Sequence, residues 1–250
     1  MRVVQLTDTH LLADAQACQK GVATTASLQR VLSHLHRQPC QPDLLLLTGD
    51  LSQDESPQSY DRLVDLLTPL AIPSYWVPGN HDHPATMAQR LDRPPLRSAK
   101  RIHQAGWQIL LLDSSHPGEV GGYLRDADLD WLTTQLQACP LPTLIALHHP
   151  PCSINSEWAD AIALANPAEF LDRLRPHPHV RLVIFGHVHQ EFQTHRQGIT
   201  FLAAPSTCIQ FQPNVPTFAL DDLPPGYRWL DLRPDGTWAT GVEWVPLTRA

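Results

Sequence analysis

Short apolar segments alternate with longer amphipathic segments between residues 3 and 185 of the 250-residue chain. The apolar segments have the length of strands, and Leu44–Leu47 is apolar at every position, as in strands that are covered on both faces. In the longer segments, apolar residues recur at the three- and four-residue spacing of a helix. Such an alternation predicts an α/β fold with a mainly parallel central sheet.

The boundaries of these segments define the predicted elements. Strands are predicted at Val3–Leu6, Leu44–Leu47, Tyr75–Val77, Ile109–Leu112, Leu144–Leu147 and Leu182–Phe185. Helices are predicted at Thr25–Gln38, Pro57–Leu70, Pro84–Leu91, Asp126–Ala138 and Pro167–Leu174. No shift in composition marks a second domain, so we expect one domain over residues 1–250.

After residue 186 the helical spacing stops, and the pattern becomes one of short strands separated by turns. Gly198 and the segment Pro234-Asp235-Gly236 mark two of these turns. The proline-rich segment Ala204–Gly226 has little periodicity and predicts a long ordered loop. Antiparallel strands are predicted at Phe192–His195, Ile199–Ala203, Tyr227–Leu232 and Trp238–Val245.

Charge and cysteine usage exclude several classes of protein. The formal net charge is -7 and Lys20 and Lys100 are the only lysines, so the chain lacks the basic surface that long nucleic acids require. No apolar run approaches the roughly 20 residues that cross a bilayer, so no membrane span is expected. The five cysteines form no CxxC pair, and the N-terminus has no signal-peptide pattern, so we expect reduced thiols and a cytoplasmic protein.

Five of the predicted strands end in polar residues of similar chemistry. Ligands of open α/β sheets bind beyond the carboxyl ends of the strands, and residues two apart in an extended segment point the same way. We therefore expect these side chains to converge. The motifs are Asp8-Thr9-His10, Gly49-Asp50, Gly79-Asn80-His81-Asp82, His148-His149-Pro150 and Gly186-His187-Val188-His189.

The chemistry of these motifs indicates transition metals. Carboxylate, amide and imidazole groups together suit manganese, iron or zinc better than calcium or magnesium. Seven candidate ligands exceed what one ion needs, so the sequence predicts two metal ions. The candidate ligands are Asp8, His10, Asp50, Asn80, His148, His187 and His189.

In their order along the chain, these motifs resemble those of the calcineurin-like metallophosphoesterases. The segments Asp8–Leu11, Thr48–Asp54 and Pro205–Cys208, with Gln210-Phe211, also resemble bacterial 3′,5′-cyclic-AMP phosphodiesterases, the class III cyclic nucleotide phosphodiesterases. The resemblance covers nearly the whole chain. It implies a β-sandwich flanked by helices, with mostly parallel core strands, antiparallel C-terminal strands and a rim loop near residues 204–226.

The resemblance also implies a role for each site residue. His81 is expected to be catalytic, by stabilising the transition state or by protonating the leaving 3′-oxygen. The expected ions are iron, manganese or both, with zinc as an alternative, and Asp50 is expected to bridge them. One ion would be held by Asp8, His10, Asp50 and His189, the other by Asp50, Asn80, His148 and His187, and the substrate by Asn80, His81 and His149.

Neighbouring residues leave alternatives open. Asp82 either orients a ligating histidine or caps the helix that begins near Pro84. His149 either contacts the substrate or has a structural role. Cys208 has no ligand spacing and is expected to be a buried or rim thiol.

The implied function is hydrolysis of 3′,5′-cyclic AMP to AMP by an enzyme with two metal ions. Because the ligands define the reaction and the rim defines the substrate, the alternatives include other phosphodiesters or monoesters, such as 2′,3′-cyclic nucleotides and glycerophosphodiesters. A non-catalytic binding scaffold of the same fold is a further alternative. The oligomeric state stays open, with a homo-oligomer as one alternative.

Overall fold

The computed structural model describes residues 1–246. The strands are β1 (Arg2–Leu6), β2 (Cys18–Gln19), β3 (Val22–Ala23), β4 (Leu44–Thr48), β5 (Ser74–Val77), β6 (Leu96–Arg97), β7 (Arg101–Gln104), β8 (Trp107–Leu111), β9 (Thr143–Ala146), β10 (Val180–Phe185), β11 (Phe192–Arg196), β12 (Ile199–Ala203), β13 (Gln210–Phe211), β14 (Leu220–Asp221), β15 (Gly226–Leu232) and β16 (Trp238–Trp244). The helices are α1 (Thr24–His36), α2 (Pro57–Leu67), α3 (Pro84–Leu91), α4 (Asp126–Ala138), α5 (Glu157–Asp160) and α6 (Pro167–Leu174).

Two six-stranded sheets form the centre of the fold. The first has the order β16-β15-β1-β4-β5-β6, in which β1, β4, β5 and β6 are parallel and β15 and β16 are antiparallel to their neighbours. The second has the order β11-β12-β10-β9-β8-β7, in which β8, β9, β10 and β12 are parallel. The antiparallel strands β7 and β11 lie at its two edges.

Three apolar layers hold the sheets and helices together. The layer between the sheets includes Leu44 and Leu46 of β4 together with Ile184 of β10. On the other face of β4, Leu45 and Leu47 pack with residues of α1, α2 and α3. Residues of α4 and α6 cover the second sheet in the same way. Both faces of β4 are therefore buried, which explains its continuous apolar run.

The predicted α/β class and the flanked β-sandwich are confirmed. Helices α3, α4 and α6 have the predicted bounds. The helix predicted at Pro57–Leu70 ends at Leu67 and is followed by a 3₁₀ turn at Thr68–Leu70. Pro69 lacks the N–H that would continue the α-helical hydrogen-bond ladder, which accounts for the change.

The C-terminal part departs from the prediction in two places. Strand β12 is antiparallel to β11, as predicted, but it also pairs in parallel with β10 and so extends the parallel core. The segment Ala204–Gly226 is ordered, as predicted, but it contains the short antiparallel pair β13 and β14. Sequence periodicity could not reveal β13 and β14, because each of these strands has only two residues.

Parallel pairing brings the polar motifs to one end of the sandwich. Strands β1, β4 and β5 of the first sheet and β9 and β10 of the second all end there. The two sheets are also joined at this end by a hydrogen bond of 2.7 Å: Nδ1 of His148, which follows β9, donates to the carbonyl oxygen of Thr48, the last residue of β4. The two sheets therefore meet at the candidate site. None of the helices within residues 1–246 is long and apolar enough to cross a membrane.

Candidate metal centre

The seven predicted ligands lie together at the carboxyl ends of five strands. We call them the strand-end cluster. Several have a left-handed backbone, which costs a residue other than glycine about 1–3 kcal/mol and is concentrated at functional sites. Each lies two to four residues after the end of its strand, so the chain turns sharply in the segments that carry the ligands. The positive φ angles are 54° at Asp8, 45° at His10, 50° at Asp50, 68° at His187 and 46° at His189.

One part of the cluster consists of Asp8, His10 and His189. The Nε2 atom of His189 lies 3.2 Å from Oδ1 of Asp8 and 3.1 Å from Nε2 of His10. Asp8 is oriented from behind, because its Oδ2 accepts a hydrogen bond of 2.6 Å from the Thr7 hydroxyl. These ligating atoms lie within 4.8 Å of one another.

The other part consists of Asn80, His148 and His187. The Asn80 Oδ1 lies 3.3 Å from Nε2 of His148 and 3.0 Å from Nδ1 of His187. The two imidazole nitrogens are themselves 3.3 Å apart. An amide oxygen and two imidazoles therefore meet at one point.

Asp50 lies between the two parts. Its Oδ2 is 3.9 Å from Nε2 of His10 and 3.4 Å from Nε2 of His148. Its Oδ1 accepts a hydrogen bond of 2.9 Å from the backbone N–H of His81, which fixes the carboxylate plane. One carboxylate thus faces both groups of ligands, which is the position that a bridging ligand requires.

The hydrogen bonds of His10 and His189 test whether the cluster suits a cation. His10 Nδ1 lies 2.8 Å from the Gln53 Oε1, and His189 Nδ1 lies 2.8 Å from the carbonyl oxygen of Ile209. Because these oxygens only accept, each Nδ1 carries a proton, and Nε2 is the nitrogen through which each ring can ligate a metal. The two Nε2 atoms lie 3.1 Å apart, so one cation can be reached by both rings. The donor set therefore fits a divalent metal.

Titration of the cluster is consistent with such a site. Burial raises the pKa of the Asp50 carboxyl, but the neighbouring His148 and His10 outweigh burial and hold it well below its usual value. Burial disfavours the charged form of His148, but attraction to Asp50 is stronger and raises its pKa to about 9. Burial lowers the pKa of His10 to about 4. A proton on His148 therefore competes with a metal ion for the same lone pair.

Two glycines permit the close approach of these side chains. A Cβ on Gly79 would overlap the Asp50 carboxylate, and a Cβ on Gly186 would overlap the Thr7 hydroxyl. Neither neighbour is a flexible side-chain end that can move away, because both side chains are buried. The glycines before the ligands therefore make room for the ligating groups.

His81 lies beside the cluster and is connected to it by Gln53. The His81 and His10 ring centres are 5.3 Å apart. Gln53 Oε1 accepts from His10 Nδ1 and from Gln19 Nε2 at 2.9 Å, while Gln53 Nε2 donates to His81 Nδ1 at 3.2 Å. The proton of neutral His81 is therefore on Nε2. One glutamine thus leaves a lone pair on Nε2 of His10 and an N–H on Nε2 of His81.

Of the two roles considered for His149, its position favours the structural one over contact with the substrate. The side chain is fully buried, with Nδ1 2.9 Å from the Ser114 hydroxyl and Nε2 3.1 Å from the carbonyl oxygen of Val120. Burial, together with the nearby His148, lowers the pKa of His149 to about 3, so its ring is neutral. Because its ring centre lies 4.8 Å from that of His148 and 4.9 Å from that of His187, His149 supports the two ligands from behind.

Asp82 has neither of the two roles considered for it. Its carboxylate accepts backbone N–H groups of Leu51 at 3.1 Å, Ser52 at 3.0 Å and Gly79 at 2.9 Å, and the Tyr60 hydroxyl at 3.1 Å. The side chain of the next residue caps α3 instead. Burial raises the pKa of Asp82 to about 7. Asp82 therefore ties the loop after β4 to the loop after β5.

The other histidines and Cys208 lie apart from this chemistry. Cys208 is buried, and burial raises the pKa of its thiol to about 12. Outside the motifs, eight histidines are exposed or half-buried. These are His34, His36, His83, His103, His116, His177, His179 and His195.

A cavity of about 340 Å³ opens over the strand-end cluster. Sequence reasoning missed several residues of its wall, because they are distant in the chain and form no motif. The missed residues are Gln19, Lys20, Val120, Trp158, Ile162, Ile209 and Phe218. Gln53 does not line the cavity but was also missed as a site residue, although its position three residues after Asp50 was an available signal.

Comparison with known sequences identifies the family. The family model described as calcineurin-like phosphoesterase matches residues 1–191. The chain is 44% identical to a 3′,5′-cyclic-nucleotide phosphodiesterase of Nostoc sp. over 98% of this chain and 92% of that protein. It is 43% identical to the 3′,5′-cyclic adenosine monophosphate phosphodiesterase CpdA of Pseudomonas aeruginosa over 97% and 89% of the two chains. For the CpdA protein of Escherichia coli K12, the identity is 39% over 100% and 91%.

Solved structures show the same fold. A dimetal phosphatase from Danio rerio superposes with a TM-score of 0.68 at 17% identity, over 92% of this chain and 95% of that chain. A purple acid phosphatase from yellow lupin seeds superposes with a TM-score of 0.61 at 13% identity, over 92% of this chain and 49% of that chain. At these identities the likeness concerns the fold.

Proposed function

The chain belongs to the calcineurin-like phosphoesterase family, and we propose that it hydrolyses 3′,5′-cyclic AMP to AMP with two metal ions at the strand-end cluster. The observation that carries this proposal is the convergence of imidazole nitrogens and carboxylates on both sides of Asp50. The names of relatives at 39–44% identity supply the substrate.

The cluster divides into two ligand sets. The proposed ions are iron, manganese or both, with zinc as the alternative, because imidazole and carboxylate ligands suit these metals. When bound, two such cations would supply positive charge for an anionic phosphodiester and Lewis acidity that lowers the pKa of water. The proposed sets are Asp8, His10, Asp50 and His189 for one ion, and Asp50, Asn80, His148 and His187 for the other.

The residues around the cluster orient the reaction. Asp50 is positioned by the backbone of His81, and the ligating histidines are oriented by oxygens behind them, so little reorganisation is needed when substrate arrives. Asn80 and His81 line the cavity and are the proposed contacts to the phosphate. The side chains that take part in the reaction are thus already oriented before the substrate binds.

His81 is the proposed donor to the leaving 3′-oxygen. Opening of the cyclic diester breaks the bond between phosphorus and the 3′-oxygen, and that oxygen needs a proton as it leaves. Gln53 donates to His81 Nδ1, so His81 Nε2 holds a proton. Donation from Nε2 therefore neutralises the charge that develops on the leaving group.

The five cysteines are free thiols, which are typical of proteins in the reducing interior of the cell. We therefore keep the cytoplasm as the proposed location.

A substrate panel tests the proposed function. Purified protein with defined manganese or iron content is assayed on 3′,5′-cyclic AMP, 3′,5′-cyclic GMP, 2′,3′-cyclic AMP and glycerophosphocholine, with product identified by chromatography. We expect 3′,5′-cyclic AMP to give 5′-AMP with the highest kcat/KM of the panel. Chelation should abolish the activity, and manganese or iron should restore it.

Two results would overturn the proposal. A higher kcat/KM on a non-cyclic or 2′,3′-cyclic ester would reassign the substrate. Activity that survives chelation, with no metal detected by elemental analysis, would remove the metal-dependent mechanism. The His36→Ala variant is the matched control, because this exposed histidine lies on α1 outside the site.

A further inference from the structure

Three aromatic side chains form one side of the cavity over the strand-end cluster. We call Trp158, Phe211 and Phe218 the aromatic wall. Trp158 lies on α5, Phe211 on β13 and Phe218 in the loop between β13 and β14. The ring centres are 5.4 Å apart for Trp158 and Phe211, 5.2 Å for Trp158 and Phe218, and 5.1 Å for Phe211 and Phe218. All three pairs meet edge to face, so the rings form one packed group.

The aromatic wall is continuous with the metal-ligating residues. Phe211 stacks on the ring of His189 with the centres 3.9 Å apart and the planes 10° apart. The same cavity is lined by Asn80, His81 and His187 on its polar side. A molecule whose phosphate lies at the cluster therefore has the aromatic wall beside it.

The aromatic wall leaves apolar surface in contact with water. Phe218 is 46% exposed, and Val120, which lines the same cavity, is 52% exposed. Large exposed apolar side chains grouped around a concave site are typical of ligand recognition. The cavity volume of about 340 Å³ lies within the range of about 300–1,000 Å³ that small-molecule sites occupy.

One cation completes the rim. Lys20, at the turn between β2 and β3, places Nζ 5.8 Å from the centre of the Phe218 ring. Among the described residues that line this cavity, Lys20 is the only lysine or arginine. A flat electron-rich ring system with an attached anion complements this combination of aromatic faces and positive charge.

We infer that the aromatic wall binds the base of the nucleotide by stacking, while the strand-end cluster binds its phosphate. This inference rests on the proposed function, because it assumes a nucleotide substrate. The occupant is a planar purine, and recognition by stacking depends on the ring face more than on its substituents. Adenine and guanine are therefore both accepted at the wall.

The experiment compares substrates with and without a base. Wild-type enzyme and the Phe218→Ala variant are assayed on 3′,5′-cyclic AMP and on methyl ribofuranoside 3′,5′-cyclic phosphate, in which a methoxy group replaces adenine. We expect Phe218→Ala to raise KM for 3′,5′-cyclic AMP about tenfold, as for loss of one stacked aromatic ring, with kcat nearly unchanged. KM for the base-free substrate should stay within twofold of the wild-type value.

Two further variants separate stacking from general effects on the loop. Phe218→Trp should restore the KM for 3′,5′-cyclic AMP, because it restores a large aromatic face. Leu223→Ala is the matched control: Leu223 lies two residues after β14 and is 48% exposed, similar to Phe218, but it does not line the cavity. This control should leave KM unchanged for both substrates.

A binding measurement makes the test independent of turnover. Saturation-transfer NMR on the zinc-loaded protein with AMP as the probe should show stronger transfer to the adenine H2 and H8 protons than to the ribose protons. Equal transfer to both groups would contradict base stacking.

The outcomes distinguish the two proposals. If the wild-type enzyme does not hydrolyse 3′,5′-cyclic AMP, the proposed function fails. If it does, but Phe218→Ala raises KM equally for both substrates or for neither, the wall does not bind the base. A change in sedimentation of Phe218→Ala with unchanged KM would overturn the inference by showing that the ring covers a second copy of the chain.

Discussion

The strand-end cluster and the aromatic wall face the same cavity but are built differently. The cluster is buried and polar, and its ligands follow five strands from both sheets, several with a left-handed backbone. The wall is apolar and partly exposed, and it comes from the short helix α5, the two-residue strand β13 and the loop after β13. The cluster therefore depends on the rigid core, whereas the wall can vary without changing the sheets.

This difference separates chemistry from selectivity. Changes in the cluster should remove metal and turnover, while changes in the wall should alter KM for substrates that carry a base. The strained backbone positions are held in place by the hydrogen bonds and packing around them. Phe218→Ala tests the wall, and four substitutions in and around the cluster test the other side of this division, beginning with the largest expected effect.

Loss of the Asp50 carboxylate should have the largest effect. Asp50→Asn removes the negative charge that faces both ligand sets, so we expect metal content to fall and kcat/KM to drop by about four orders of magnitude. Elemental analysis and steady-state assays measure both quantities. Asp65→Asn, an exposed change on α2, serves as the control. An Asp50→Asn protein with full metal content and wild-type turnover would refute the bridging role.

His81 should affect turnover without affecting metal. His81→Ala removes the proposed proton donor, and we expect kcat on 3′,5′-cyclic AMP to fall about 10²- to 10³-fold while metal content is unchanged. A diester with a 4-nitrophenolate leaving group needs no such proton, so kcat on that substrate should fall much less. Equal losses on both substrates would show that His81 does not protonate the leaving group.

Gln53 should act through the two histidines that it joins. Gln53→Ala frees the rings of His10 and His81, and we expect kcat on 3′,5′-cyclic AMP to fall about tenfold, in the range of other residues that orient ligands. The decrease in kcat should again be smaller on the diester with the 4-nitrophenolate leaving group. Gln58→Ala on the exposed face of α2 is the control. A loss that is independent of the leaving group would argue against positioning of His81.

Asp82 should affect stability more than chemistry. Asp82→Asn replaces one acceptor oxygen with an amide nitrogen facing backbone N–H groups, so we expect the free energy of unfolding to fall by about 1–3 kcal/mol. Urea unfolding followed by circular dichroism measures the change. The exposed Asp222→Asn should leave the midpoint unaltered. An unchanged midpoint for Asp82→Asn would mean that its hydrogen bonds contribute nothing measurable.

Much of the fold could be predicted because its signals are local. Helix α3 has its predicted bounds, since Pro84 suits the first turn and the apolar spacing ends at Leu91. Convergence of Asp8 with Asp50 was also predictable, because the carboxyl ends of neighbouring parallel strands meet. The burial of His149 could not be predicted, because it depends on contacts with Ser114 and Val120, which are distant in the chain.

The sequence by itself determined the alternation of strands and helices, the order of the polar motifs and the types of ligand they carry. Those properties are encoded in short segments, where side-chain spacing matches the period of a strand or a helix. Only the tertiary structure decided that Gln53 gives His10 and His81 opposite protonated nitrogens. It likewise decided that Trp158 and Phe218, sixty residues apart, share one wall. Both depend on packing between distant segments, which no local pattern records.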